Sequence, residues 1–211
     1  EQVLETLELL SRLCRRDILH NGQLSSYIQY FDFFTIHAQR KSVAIVANAC
    51  AIVNNSDFGT IEDLFLTLKL IFVNCTDQTI VSRLLDTLYG ICGGIKDVNM
   101  LESLFTTEIA QHLIKLISNN DTALDGKLKC LDILALIVSH CPKIAHTILK
   151  SPNLSTTLEK CLYQYGKNSN ASLHETIMFV PKNLLNSISR FLVLLFPPEI
   201  EQILTVKNTN F

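Results

Sequence analysis

Tryptophan is absent from the 211 residues, and glycine (7) and proline (5) are sparse. A chain so poor in turn formers is badly suited to a β-sandwich, whose many short strands need Gly- and Pro-rich turns. Charge is scarce too: Asp, Glu, Lys and Arg make up 18% of the chain, below the roughly 25% of an ordinary soluble domain. With a formal net charge of −2, no global basic field exists to hold nucleic acid or an acidic membrane. The wholly apolar runs, Ile133 to Val138 and Phe191 to Phe196 among them, fall far short of the ~20 residues that span a bilayer. No CxxC pair, GxSxG, HExxH, P-loop or GxGxxG occurs, so no catalytic centre, metal or cofactor is expected. The chain begins at Glu1 without a secretory pattern, and it reads as a piece of a longer protein.

What is present is apolar side chain, 48% of the residues, rich in Leu and Ile. That much buried surface with so little charge excludes general disorder. The seven cysteines (Cys14, Cys50, Cys75, Cys92, Cys130, Cys141 and Cys161) are odd in number and sit mostly in apolar stretches. They read as reduced thiols serving as small hydrophobes in the cytosol or nucleus.

Apolar residues recur at three- and four-residue spacing in segment after segment, separated by short polar breaks. The first segment carries Val3, Leu4, Leu7, Leu10 and Leu13 on one side, with Gly22 as a helix stop. "QLSSYIQYF" reads as a short helix and "TIHAQRKSVAIVANACAIV" as a long one. Further long helices are predicted to begin near Asp77, Leu124 and Leu173, after the one near Thr35. The steps, about 40 to 50 residues, match the armadillo and HEAT range of roughly 40 to 47. The expectation is an all-α, armadillo/HEAT-like right-handed helical solenoid of about four repeats, forming one domain over residues 1–211. In a stack of this kind a long helix covered by its neighbours is apolar nearly all round. Ala44, Ala47, Ala49, Cys50 and Ala51 would let adjacent helices approach closely. The competing reading, short parallel strands, lacks the Gly-rich βα turns and regular strand–helix alternation of a doubly wound sheet. Pro181 is expected to kink or split the last long segment near Val180, and Pro197-Pro198 to close the array.

Few residues suggest chemistry. His140 and Cys141 with Cys130 lack a second ligand pair at metal-binding spacing. Gly93-Gly94 lies at a helix end without the Lys-Ser/Thr of a phosphate loop and reads as helix termination. Asn170 opens an "NAS" glycosylation pattern that nothing else supports. The aromatic group Tyr30, Phe31, Phe33 and Phe34 can be a binding platform or an inter-helix wedge, and its position between a short and a long helix favours the wedge. Asp32 and Thr35 are placed to cap that long helix. His37, Lys41 and Asn48 form a polar stripe on its surface. Lys41 can grip a partner in a groove or simply be solvated, whereas Asn48, inside an apolar run, needs hydrogen-bond partners. Arg83, Tyr89 and Lys129 complete the candidate groove set with Lys41 and Asn48.

"YFDFFTIHAQRKSVAIVANAC" resembles the armadillo-type N-terminal region of the ubiquitin-fusion-degradation class of HECT E3 ubiquitin ligases. This class includes the thyroid-receptor-interacting ligase of animals and the KAKTUS type of plants. The residues that carry the resemblance are Tyr30, Phe31, Asp32, Phe33 and Phe34, the pair Gln39-Arg40, and Asn48 after Ala47. The resemblance implies a non-catalytic scaffold whose partners are protein substrates or degrons, ubiquitin or ubiquitin chains and, further off, the proteasome. It also implies a place in the cytoplasm or nucleus, with no nucleic acid or membrane partner. The thioester-forming cysteine of such ligases lies in a C-terminal HECT domain outside these residues, so none of the seven cysteines is given that role.

Overall fold

A computed structural model describes residues 2–21, 24–151, 153–165 and 180–196. Every regular element among them is helical, and no strand occurs. The α-helices are α1 (Gln2–Leu13), α2 (Arg15–Asn21), α3 (Ile36–Cys50), α4 (Phe58–Asn74), α5 (Gln78–Gly94), α6 (Val98–Leu104), α7 (Thr107–Ser118), α8 (Leu124–His140), α9 (Pro142–Leu149), α10 (Leu154–Tyr165) and α11 (Lys182–Leu195). The long helices α3, α5 and α8 begin where the spacing predicts. Gly22, Asn170, the expected start at Leu173 and Pro197-Pro198 lie outside the described residues.

By its contacts the chain falls into two compact units, Glu1–Ile109 and Ala110–Phe211. In the first, α3 is the central element, packed by α1 and α2 and by α5. Its residues Ser42 to Ala47, with Ala49 and Cys50, are all buried, which accounts for the continuous apolar run. Val43, Val46 and the other β-branched residues are mediocre helix formers, and burial overrides that preference at about 1.5–3 kcal/mol per fully buried aliphatic side chain. Ile61, Leu64, Leu68 and Phe72 of α4 supply another side of this core. In the second unit α8 has the central place: Cys130, Leu131, Ile133, Leu134 and Ala135 are buried, and α9 and α11 pack against it.

Helix starts follow the side-chain chemistry. The Thr35 hydroxyl accepts from Ala38 N at 3.3 Å to start α3, while Asp32 lies one turn earlier, in a 3-10 turn. Asp77 caps α5 through Ile80 N (3.0 Å) and Asp97 caps α6 through Met100 N (3.0 Å). Such caps contribute about 1 kcal/mol each.

Some segments depart from the sequence reading. In place of one short helix, the described part of "QLSSYIQYF" holds one 3-10 turn, Leu24–Tyr27, and a second, Phe31–Phe33, starts at its last residue. Ser25, Ser26 and Asp32 favour tight local turns over helix interior, and Leu24, Ile28 and Phe31 are the buried anchors. "NMLESLFTTEIAQHLIKLIS" divides into α6 and α7 at Phe105–Thr106, where the buried Phe105 ring meets Phe65 edge-on at 5.1 Å. Pro181 is the residue just before α11, so the chain enters a new helix there, with proline supplying a fixed φ at its mouth.

Among the described residues, the buried Ser42 Oγ in α3 has no hydrogen-bond partner. Ser42→Ala is therefore expected to leave the fold intact and stabilise it by about 1 kcal/mol. Urea unfolding of the two proteins side by side checks this.

Candidate functional site

The polar half of the Tyr30–Asn48 segment holds the first unit together. Gln39 Nε2 donates to the Phe31 carbonyl at 2.9 Å, securing the aromatic turn to α3. Arg40 reaches Asp77 with two nitrogens, at 2.7 and 3.4 Å, and so ties α3 to the capping residue of α5. The Arg40 guanidinium holds the Asp77 carboxyl below its usual range. Stability from this pair is present above the ordinary carboxylate value and lost as pH falls through the depressed one. Because the pair is largely solvent-exposed, the loss in Arg40→Ala is expected to be small. It should vanish in acid, which a stability-versus-pH comparison with the unsubstituted chain measures.

Lys41 and Asn48 share the face of α3 that meets α1. Lys41 Nζ lies 3.2 Å from Glu5 and 3.8 Å from Glu8, and its side chain is only 15% exposed. Asn48 Nδ2 donates to Ser11 Oγ at 2.9 Å, and Ser11 donates onward to the Glu8 carbonyl at 2.7 Å. The carboxamide inside the apolar run thus has its partner in α1, a contact the sequence could not specify.

Asn48, Arg83 and Tyr89 nevertheless meet in one cleft of about 570 Å³ between the second half of α3 and α5. Its other lining residues are Ala47, Ala51, Ile52, Val53, Asp86, Gly90, Gly93 and Gly94. Small residues make the floor, which is why the cleft exists. A Cβ at Gly93 would meet nothing within 4 Å, whereas one at Gly90 or Gly94 would strike the backbone of α3 and the segment after it. No glycine of the described residues has a positive φ, so the Gly93-Gly94 pair serves close approach and open space, and the helix ends there without a left-handed turn. Arg83 lies 3.4 Å from Asp86 one turn on, and Tyr89 is half exposed. The cleft thus offers a guanidinium, a carboxylate, a phenol and a carboxamide over an apolar base, an arrangement that can hold a polypeptide segment. Lys129 belongs to the second unit, where it pairs with Asp125 at 3.0 Å.

Nothing in the cleft forms a nucleophile–base pair. Among the described residues no group of His, Cys, Asp and Glu could hold a metal ion, and no helix is long and apolar enough to cross a membrane. Cys50, Cys92, Cys130, Cys141 and Cys161 are buried, and burial pushes the thiols of Cys50, Cys130 and Cys161 up, away from the reactive thiolate.

No family model matches the chain. Over 205 residues it is 48% identical to ubiquitin fusion degradation protein 4 of Saccharomyces cerevisiae, a match covering 97% of this chain and 14% of that protein. It is 27% identical over 185 residues to the E3 ubiquitin-protein ligase TRIP12 of Danio rerio, covering 87% of this chain and 9% of that one. The chain therefore spans 14% or less of these relatives' length. Among solved structures, a designed armadillo repeat protein in complex with the peptide (KR)4 superposes with a TM-score of 0.61 at 12% identity, covering 92% of each chain. At that identity the likeness speaks for the fold alone. Helices without strands among the described residues, the Tyr30–Asn48 motif and these likenesses agree: the chain is an armadillo-like helical region similar, over nearly its whole length, to a stretch of ubiquitin fusion degradation protein 4 and of TRIP12.

Proposed function

We propose that this chain is the gripping scaffold of a HECT-type ubiquitin ligase, non-catalytic in itself, which holds a substrate, its degron or an attached ubiquitin for transfer by a separate C-terminal domain. The observation that carries the reading is the α3–α5 cleft: polar and aromatic side chains over a floor of Ala and Gly, with no catalytic pair, in a chain akin to ubiquitin ligases. Its contribution to the reaction is proximity. A bound acceptor is confined near the thioester, which raises its effective concentration without any chemistry from the scaffold. A place in the cytoplasm or nucleus, where ubiquitin transfer and reduced cysteines are both expected, goes with this reading.

Within the cleft Arg83 and Tyr89 are the residues that meet the partner. Asn48 positions the floor through Ser11, and Lys41 stabilises α1 on α3. Lys129 would act separately in the second unit. A fusion of ubiquitin to an unstructured polypeptide is the probe suggested by the name of the yeast relative. The 211-residue chain should bind it, and Arg83→Ala/Tyr89→Ala should weaken binding at least about tenfold, as for central interface residues. Gly93→Leu should do the same by filling the cleft, since Gly93 lines it and an added Cβ there has nothing within 4 Å. Unchanged affinity in both folded variants would remove the cleft from the account. Lys41→Ala/Asn48→Ala tests the remaining α3 pair: affinity should fall only as far as the α1–α3 packing loosens.

A further inference from the structure

The second unit holds a cleft of about 550 Å³ between α7 and the N-terminal turn of α10. Gln111 and Lys115, one helical turn apart, line it from α7, and Thr157 and Lys160 line it from α10, with Asn153 just before that helix. Ile114, buried, adds an aliphatic surface. Among the described residues no aspartate or glutamate lines this cleft, although the chain as a whole carries a net charge of −2. None of its residues belongs to the α3–α5 cleft.

Thr157 gives the sign that the cleft takes a ligand. It is only 7% exposed, yet its hydroxyl makes no hydrogen bond among the described residues. A helical threonine ordinarily donates to a carbonyl three or four residues back, the bond that Thr147 and Thr156 make. For Thr157 the carbonyl four back is that of Asn153, which already accepts from Thr157 N at 2.9 Å and from Thr156 Oγ1 at 3.0 Å. Two bonds fill the lone pairs of a carbonyl oxygen. A buried hydroxyl in this state costs free energy that an acceptor placed in the cleft would restore.

Charge says what that acceptor carries. Lys115 and Lys160 are exposed, and neither has an ion pair among the described residues. The first N–H groups of a helix such as α10 ordinarily lack intrahelical partners and favour negative charge. A phosphoryl group brings a charge of about −1.5 to −2 and three acceptor oxygens, which matches two lysines and a hydroxyl. A carboxylate brings a single charge and two oxygens. The carboxamides of Gln111 and Asn153 each set a donor beside an acceptor, the pairing that a peptide backbone needs and a free ion does not.

We propose that the α7–α10 cleft binds a polypeptide segment bearing phosphoserine or phosphothreonine. Lys115 and Lys160 neutralise the phosphoryl group, the Thr157 hydroxyl donates to it, and Gln111 and Asn153 pair with the flanking backbone. The proposal stands apart from the ligase reading, since nothing in it uses ubiquitin transfer.

The experiment is fluorescence anisotropy of three labelled peptide mixtures with the 211-residue chain. Each mixture has randomised flanks around one fixed residue: phosphoserine, glutamate or serine. The phosphoserine mixture should bind at least about tenfold more tightly than the other two, and higher salt should weaken it. Lys115→Ala and Lys160→Ala should each weaken it about tenfold. Both lysines are exposed, so helical circular dichroism should not change. Thr157→Val keeps the buried volume and should weaken binding several-fold, whereas Arg83→Ala/Tyr89→Ala should leave it intact. Four results would overturn the proposal. Equal binding of the glutamate mixture would show a site for acidic peptides without phosphoryl recognition. Displacement by inorganic phosphate at concentrations near the peptides' own Kd would show a site for the free ion. Unchanged affinity in both lysine variants would remove this cleft, and failure of the phosphoserine mixture to bind would remove the site altogether.

Discussion

Gly94→Ala is expected to cost the first unit about 3 kcal/mol or more, the largest effect of any single methyl group added to it. A Cβ at residue 94 would lie 1.9 Å from the Val53 carbonyl oxygen, and one at residue 90 would lie 2.5 Å from that of Cys50. Both obstacles are backbone, at the last residue of α3 and in the segment just after it, so no flexible side chain can swing aside. Overpacking a well-formed core costs typically 1–3 kcal/mol, and here relief requires moving α5 off α3. Gly93→Ala is the internal control. Nothing lies within 4 Å of its added methyl, and alanine favours helix over glycine by about 0.5–1 kcal/mol. The chemistry of the substitution is identical at neighbouring positions, yet the sign of the change should differ. Thermal melts of the three variants read it directly, Gly90→Ala and Gly94→Ala falling and Gly93→Ala holding or rising.

The second large effect is expected at Lys127. Its side chain is wholly buried. Its ammonium donates to the Ile117 carbonyl at 2.8 Å and to Gln164 Oε1, and it lies 5.9 Å from the centre of the Tyr165 ring. The Ile117 carbonyl belongs to the last turn of α7, where helix carbonyls lack intrahelical partners and a cation is favoured. One side chain on α8 therefore finishes α7 and holds α10. Lys127→Ala should cost about 3 kcal/mol, from the cavity and the orphaned carbonyl together. Lys127→Met keeps the volume and sheds the cost of burying charge, so its penalty should be smaller, about 1–2 kcal/mol.

The pH dependence separates the charge from the packing. Burial pushes the Lys127 ammonium below its ordinary value of 10.5. The unfolded chain then binds that proton more tightly than the folded one. The contribution of Lys127 to stability should therefore rise with pH between the depressed value and the ordinary one. The neighbouring thiols of Cys130 and Cys161, pushed up by burial, act in the opposite sense as the unfolded thiols ionise. Lys127→Met keeps both thiols, so the difference between wild type and Lys127→Met isolates the lysine. That difference should grow in favour of wild type from neutral to alkaline pH.

How much of this could be read from the residues depended on range. The long helices were legible because an unbroken apolar run such as Val43 to Ala47 has few homes other than a buried helix, and Thr35 and Asp77 mark their starts. Local chemistry also showed that Asn48 needs a partner. It could not show that the partner is Ser11, because that contact depends on how α1 lies on α3. Lys41 was equally open, since nothing near it in sequence announces Glu5 and Glu8 as its partners. Gly93 and Gly94 look alike in the sequence, and only the path of residue 53 distinguishes the glycine that cannot change from the one that can. Lys127 gave no signal at all: a lysine one turn into a helix ordinarily faces water, and its burial follows from where α7 ends and α10 returns. The exposed Phe33 was masked by the company of Phe31, the aromatic that does enter the core.

The central claim, that this chain acts by holding and not by chemistry, is tested most directly by steady-state ubiquitin transfer in the longer ligase proposed to contain it. The comparison is between the unsubstituted enzyme and Arg83→Ala/Tyr89→Ala, with the ubiquitin-fusion acceptor varied across a wide concentration range. A pure scaffold predicts a KM raised at least about tenfold with kcat unchanged, since saturating acceptor replaces the lost effective concentration. A reduced kcat at saturating acceptor, with KM unmoved, would contradict the account and place these residues in the transfer step itself.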